Sequence, residues 1–213
     1  MTGSRQEPAS DRFFPAHNPR ALEYPWLAEN VPADLRGLRL LDVGAGVNPL
    51  PFVFADRGAV VVTLDNHPAT RDPDHREHWN EWGSLDYSRL DPRISSLRVA
   101  YEQSVIAQPF DCIYSVSVIE HLPWRIRRQW LGKFAQQLKS RGVLLLTVDL
   151  VPDTDLLWNM SEGNVVEDAA VHGEFSTLID ELGQTGFAVA DTRVERRIPA
   201  TRVDVGFIKA MRR

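Results

Sequence analysis

Hydrophobic positions along the chain alternate between short unbroken runs and longer stretches spaced by three and four, the pattern of buried strands separated by helices. Residues 38–43 form the first apolar run. It empties into Gly44-Ala45-Gly46, and a helix-compatible segment follows at 50–57. A second run at 59–64 ends on Asp65. After a polar, irregular stretch at 66–91, a third strand is expected around 97–101 and a clear one at 110–117. Ile126, Trp130, Leu131, Phe134 and Leu138 give helical spacing over 124–138, Ser140-Arg141-Gly142 stop that helix, and 143–148 reads as a buried strand. A second irregular stretch, 149–172, precedes a helix at 175–182, a turn at 183–186 and a strand at 187–191. The last strand, 202–211, follows so short a connection that the final pair reads as an antiparallel hairpin.

This alternation predicts one doubly wound α/β domain over residues 38–213, a mostly parallel sheet with helices on both faces. Residues 1–12 are polar and expected to be disordered. Residues 13–37 carry Phe13, Phe14, Tyr24 and Trp26 among prolines, and read as a partly helical arm or lid laid over the domain. No internal repeat interrupts the pattern.

Composition narrows the class. The 213 residues are 43% hydrophobic and 25% charged, enough for one globular core. The net charge of −5 and the scattered basic residues lack the dense basic stripe that nucleic acid requires. The short run Arg125-Ile126-Arg127-Arg128 reads as a solvated helix face. No apolar stretch is long enough to span a bilayer, and residues 1–12 are too polar for a signal peptide, so a cytoplasmic location is expected, with no membrane partner. The single cysteine, Cys112, lies in an apolar run and reads as a buried, inert thiol.

The chemistry starts at the first glycine turn. Strand, Gly-x-Gly, helix, strand and terminal acid, in that order, hold a nucleotide-like ligand at the carboxyl end of a parallel sheet. The glycines admit the ligand close to the backbone, and Asp65 is placed to accept from both hydroxyls of a ribose.

Taken together, Asp42-Val43-Gly44-Ala45-Gly46-Val47-Asn48, Asp65, the run from Phe110 through Glu120-His121-Leu122, and Leu138-Lys139-Ser140-Arg141-Gly142-Val143 resemble a class I S-adenosylmethionine-dependent methyltransferase over roughly residues 35–211. The departure is Asn48, where that family has a third glycine; Asn tolerates a left-handed backbone, or caps the helix that Pro49 begins. The resemblance implies a seven-stranded sheet whose last strand runs antiparallel between its neighbours, and S-adenosylmethionine as cofactor. It implies cofactor contacts from Asp42, Gly44, Gly46, Asn48, Asp65, Asn66 and Ser117. Glu102, Gln103 and Ser104 are the candidates for the adenine, since the family's usual glycine-aspartate pair is missing there.

Glu120 and His121 fall where an acceptor would arrive, and His121 is the base candidate by its intrinsic pKa; a purely structural exit from the strand is the competing reading. A metal is not expected. The position three before Glu120 is Ser117, which supplies no ligand, and His75 with His78 reads as a solvated loop pair. Acceptor recognition is expected from Tyr24, Trp26, Trp79, Trp82, Asp86, Asp149, Trp158, Asn159, Met160, His172 and Glu174, in the arm and irregular stretches.

The activity implied is methyl transfer to an oxygen or nitrogen of a small-molecule acceptor, with glycan or secondary-metabolite chemistry preferred and the oligomeric state open. Two alternatives stand beside it. A non-catalytic S-adenosylmethionine-binding partner would keep the turn and Asp65 alone. A nicotinamide-dependent dehydrogenase would need a third glycine and a Tyr-x-x-x-Lys set, and neither is in the sequence.

Overall fold

A computed structural model describes residues 19–75, 79, 83–158, 160–161, 164–165, 170–199 and 201–213. The chain runs α1 (Arg20–Asn30), β1 (Arg39–Val43), α2 (Leu50–Asp56), β2 (Val60–Leu64), two-residue strands β3 (Thr70–Arg71) and β4 (Ser84–Leu85), then β5 (Ile94–Leu97), β6 (Phe110–Val116) and α3 (Trp124–Gln137). It continues with β7 (Leu138–Leu150), the short pair β8 (Met160–Ser161) and β9 (Asn164–Val165), α4 (Phe175–Gln184), β10 (Phe187–Glu195) and β11 (Asp204–Arg212).

Seven of these strands form one sheet in the order β10-β11-β7-β6-β1-β2-β5. The pairs β1–β2, β1–β6, β2–β5 and β6–β7 are parallel, and β11 is antiparallel to both β7 and β10. The expected final hairpin, with its last strand between two neighbours, is therefore present. Alternating side chains feed the two faces. Leu40, Tyr114 and Phe207 join Trp26 and Leu27 of α1 and Phe52 and Phe54 of α2 in one core. Leu41, Val43, Ile113 and Ile208 join Leu131 and Phe134 of α3 and Leu178 and Leu182 of α4 in the other. Strand order reverses on either side of β1, and such a switch point opens a crevice at the carboxyl ends of the strands.

Several expectations shift. The third strand lies at β5, three residues earlier than predicted, because Ile94-Ser95-Ser96-Leu97 pairs with Val61 to Leu64 of β2 despite its weak apolar pattern. Strand β7 begins at Leu138 rather than residue 143: Leu138 already pairs with Phe110, and the register slips before Cys112 meets Val143. Arg141 takes a φ of 62° within that irregularity. The basic run at 125–128 is not wholly solvated, since Arg127 is fully buried. Of the aromatic arm, α1 is described and packs on the sheet, Trp26 lying 5.2 Å from Phe207 between ring centres. Residues 1–12, with Phe13 and Phe14, lie outside the described residues. No helix among the described residues is long and apolar enough to cross a membrane.

Candidate active site

The crevice is a cavity of about 830 Å³, within the usual size of small-ligand sites. Its floor is the turn after β1. Gly44 and Gly46 adopt φ of 73° and 54°, a region that disfavours side chains. A Cβ on Gly44 would also come within 2.5 Å of Val118. The Gly44 and Ala45 N–H groups donate to the Leu64 carbonyl at 2.8 and 3.2 Å, tying the turn to the end of β2. Asp65, next in the chain, accepts from Gly46 N–H through Oδ2 at 2.8 Å and from His67 N–H through Oδ1 at 2.6 Å. The carboxylate is thus clamped at the cavity wall while each oxygen retains accepting capacity.

Asn48 sits under the turn. Its side-chain N–H groups donate to the Ala45 carbonyl at 2.5 Å and to Asp42 Oδ2 at 3.1 Å, and its Oδ1 accepts from Leu50 N–H at 2.8 Å. The Tyr87 hydroxyl accepts from Asn48 N–H at 2.8 Å. Asn48 therefore serves by side-chain hydrogen bonds and needs no left-handed backbone. Asp42 is 1% exposed and lies off the cavity wall, beneath these groups. Burial pushes its carboxyl up to about 7, against the opposing pull of Asn48.

That shift has a measurable sign. From the ordinary 3.8 up to about 7, the folded protein holds a proton that the unfolded chain releases, so stability falls as pH rises through that window. Asp42→Asn removes the titration and keeps the shape. It is expected to exceed the parent in stability at pH 8 by a few kcal/mol, on the order of 3–4, and to match it near pH 4. Urea unfolding at both pH values measures this; equal pH slopes in the two proteins would show that Asp42 stays ionised throughout.

The exit of β6 and the tip of β7 form the other half. Ser117 has φ of 49°, unusual for a non-glycine residue, and its N–H donates to the Thr147 carbonyl at 3.0 Å. Its hydroxyl meets Glu23 Oε1 at 2.8 Å and Asp149 Oδ1 at 3.2 Å, and accepts from Arg20 at 2.9 Å. Thr147 donates to Glu23 Oε1 at 2.5 Å, and Arg20 pairs with Glu23. These bonds pin α1 over the carboxyl ends of β6 and β7 and put Arg20 and Tyr24 on the cavity wall.

Glu120 is fully buried behind Asp149, whose N–H donates to Glu120 Oε1 at 3.0 Å. Burial, and then the Asp149 charge, hold the Glu120 carboxyl well above the usual range. His121 does line the cavity, edge-on to Trp158 with ring centres 5.6 Å apart.

Of the sequence-predicted residues, the structure gathers Gly44, Gly46, Asn48, Asp65, Asn66, Glu102, Ser117, His121, Tyr24, Asp149 and Trp158 around one cavity. Others stand elsewhere. Trp26 belongs to the core, where an apolar ring on the buried face of α1 packs best. Gln103 is exposed off the wall. Glu120 lies behind the wall. His172 is 5% exposed and places Nδ1 3.2 Å from the Glu120 carbonyl. Trp82 and Asn159 lie outside the described residues, as do His78 and the Met160 side chain. Cys112 is buried in β6, its thiol pushed up to about 12.

Sequence reasoning missed Arg20, Glu23, His67 and Arg202. Only Arg20 carried a signal, lying one helical turn before Tyr24 on the same face.

A family model described as a methyltransferase domain matches residues 14–191. The mitochondrial ubiquinone biosynthesis O-methyltransferase of Mus musculus is 26% identical over 145 residues, covering 64% of this chain and 38% of its own length. The ubiquinone biosynthesis O-methyltransferase of Azotobacter vinelandii is 30% identical over 118 residues, covering 52% and 44%. The matches thus span less than half the length of these curated relatives. The crystal structure of an S-adenosylmethionine-dependent methyltransferase from Mesorhizobium loti shares the fold, with a TM-score of 0.61 at 18% identity over 89% of this chain and 97% of that one.

Proposed function

The chain belongs to the methyltransferase-domain family, and from that premise we propose that it transfers the methyl group of S-adenosylmethionine to an oxygen or nitrogen of a small-molecule acceptor. The observation that carries this reading is one continuous cavity with the glycine turn and Asp65 at one end and His121, Asp149 and Trp158 at the other. It has a nucleoside end and an acceptor end, and Ser117 lies between them in the chain and on the wall.

The residues present fit the cofactor. Asp65 offers two fixed carboxylate oxygens to the ribose hydroxyls, and the left-handed Gly44 and Gly46 leave the floor free of side chains. Tyr101 and Glu102 border the same end of the cavity. Arg20, fixed by Glu23 and Ser117, presents a guanidinium to the cofactor's carboxylate. Asp42 acts from below, through the Asn48 side chain. When bound, the cofactor supplies an electrophilic methyl group on a sulfonium.

The chain's own contribution is alignment, exclusion of water and custody of a proton. Trp158, edge-on to His121, and Tyr24 add rings to the cavity wall, which displaces water and orients a flat molecule. His121 is the base for a hydroxyl acceptor, since its imidazole lines the cavity beside Trp158. Glu120 is a positioning residue for Asp149: its buried carboxyl accepts the Asp149 N–H and so fixes the tip of β7.

Transfer of labelled methyl from S-adenosylmethionine into the small-molecule fraction of a cell extract tests the proposal. Label appearing only in protein or RNA overturns the acceptor class; tight S-adenosylhomocysteine binding with no transfer at all favours a non-catalytic partner. His121→Ala is expected to lower kcat on a hydroxyl acceptor by about 10²–10⁴-fold and to remove the acidic limb of the pH profile, with S-adenosylhomocysteine affinity unchanged. Turnover that stays the same across the pH range would exclude His121 as the base.

A further inference from the structure

The acceptor end of the cavity is electrically lopsided, and the imbalance centres on Arg202. Thr201, Arg202 and Val203 line the cavity just before β11 begins. Nearby residues supply three aspartates, and each is already engaged by another group. Arg196 pairs with Asp155 at 2.6 Å and with Asp204 at 3.2 Å, and Arg197 with Asp153 at 3.2 Å. Asp204 also accepts the backbone N–H groups of Asp153 at 2.8 Å and Arg197 at 2.9 Å. Arg202 is exposed, and among the described residues no carboxylate pairs with it.

An unpaired arginine on open surface is held by water and says little. This one shares its cavity with Tyr24, His121 and Trp158, whose rings thin the water around any ligand there. The opposite sign lies deeper. Asp149 is 4% exposed on the wall, hydrogen-bonded to Ser117. Strand pairing separates the two charges: Val205 stands opposite Asp149, and Arg202 lies three residues before Val205, in the bend that leads into β11. An anion placed against Asp149 would be repelled, and one placed at Arg202 would find a planar, fork-shaped donor.

We propose that the acceptor is a planar small molecule carrying an oxyanion, a carboxylate or a phosphate, that pairs with Arg202 and thereby turns its hydroxyl or amine toward Asp149 and His121. The proposal rests on the methyl-transfer reading and adds the charge and orientation of the acceptor. Arg202 is on this view a specificity residue: it contacts the substrate remote from the methylated atom and spends that contact on alignment.

Calorimetry on protein saturated with S-adenosylhomocysteine tests it with matched probes: 3,4-dihydroxybenzoate against 3,4-dihydroxybenzamide, and 4-hydroxyphenyl phosphate against hydroquinone. The anionic member of at least one pair is expected to bind about tenfold or more tighter than its neutral partner, the gain expected of a hydrogen bond to a charged group. Arg202→Gln should erase that gap, Arg202→Lys should restore part of it, and S-adenosylhomocysteine affinity should not move. The pair with the larger Arg202-dependent gap identifies carboxylate or phosphate as the source. Equal binding within both pairs, a gap that survives in Arg202→Gln, or no anionic probe bound at millimolar concentration overturns the proposal. Failure of the parent protein to bind S-adenosylhomocysteine is a separate result and would overturn the methyl-transfer reading itself.

Discussion

Replacing Asp65 by alanine is expected to weaken S-adenosylhomocysteine binding by about 100-fold or more. Two effects combine. The substitution removes two charged acceptors from the ribose position, each hydrogen bond to such a group contributing about 1.5–3 kcal/mol. It also strands the N–H groups of Gly46, in the turn between β1 and α2, and of His67, just after β2, which Asp65 holds at 2.8 and 2.6 Å. Asp65→Asn keeps the volume and one acceptor oxygen, so its loss should be intermediate, roughly tenfold. Calorimetric titration measures both affinities, and thermal unfolding shows whether the fold survives. Full affinity in Asp65→Ala would remove this carboxylate from the cofactor site.

The largest stability effect is expected at Arg127, far from the glycine turn. Its Nε and Nη2 donate to the two Glu181 oxygens at 2.8 and 2.7 Å, and its Nη1 donates to the carbonyls of His172 at 2.8 Å and Leu122 at 3.2 Å. The pair is sealed from solvent, with side-chain exposures of 0% and 6%. Arg127→Met leaves Glu181 buried without its partner and should destabilise the protein by about 3–5 kcal/mol. For a chain of this size that is a fall in Tm of roughly 10 °C. Arg127→Met with Glu181→Leu removes both charges and should recover most of the loss, because the uncompensated carboxylate, rather than the missing attraction, dominates the single variant. A loss below about 1 kcal/mol in the single variant's urea unfolding would contradict the buried assignment. The same guanidinium holds the carbonyl of Leu122, which lines the cavity beside His121, so that part of the wall loosens with it.

Residues that act through their own neighbours in sequence were legible; those that act across the fold were not. The valine-rich run of β2, the Gly-x-Gly turn and Asp65 form one contiguous unit, and the sequence order alone assigned their places. The antiparallel end was readable because β10 and β11 are joined by a short connection. Arg127 was misread because a basic run looks solvated until Glu181, 54 residues on, comes to meet it. Trp26 and Tyr24 share a helix and a composition, and only packing sends one into the core and the other to the cavity wall. Glu120 looked like a partner of His121 by adjacency, yet the single helical turn at 119–121 buries one and exposes the other to the cleft. Arg202 was unremarkable as a residue near a strand end. Its meaning depends on the β7–β11 register and on which aspartates other arginines have already taken.

The bonds that hold α1 to the sheet reach 97 residues from Arg20 to Ser117, 94 from Glu23 to Ser117 and 124 from Glu23 to Thr147. Synthesis therefore delivers one wall of the site long before the surface it closes against. Until β7 leaves the ribosome, Glu23 has neither Thr147 nor the finished strand edge, and Tyr24 has no fixed address. The glycine turn and Asp65 belong to a compact local segment and need no such wait. A nascent chain can thus shape the glycine turn early, while the α1 wall of the cavity closes only when distant parts of the sequence have met.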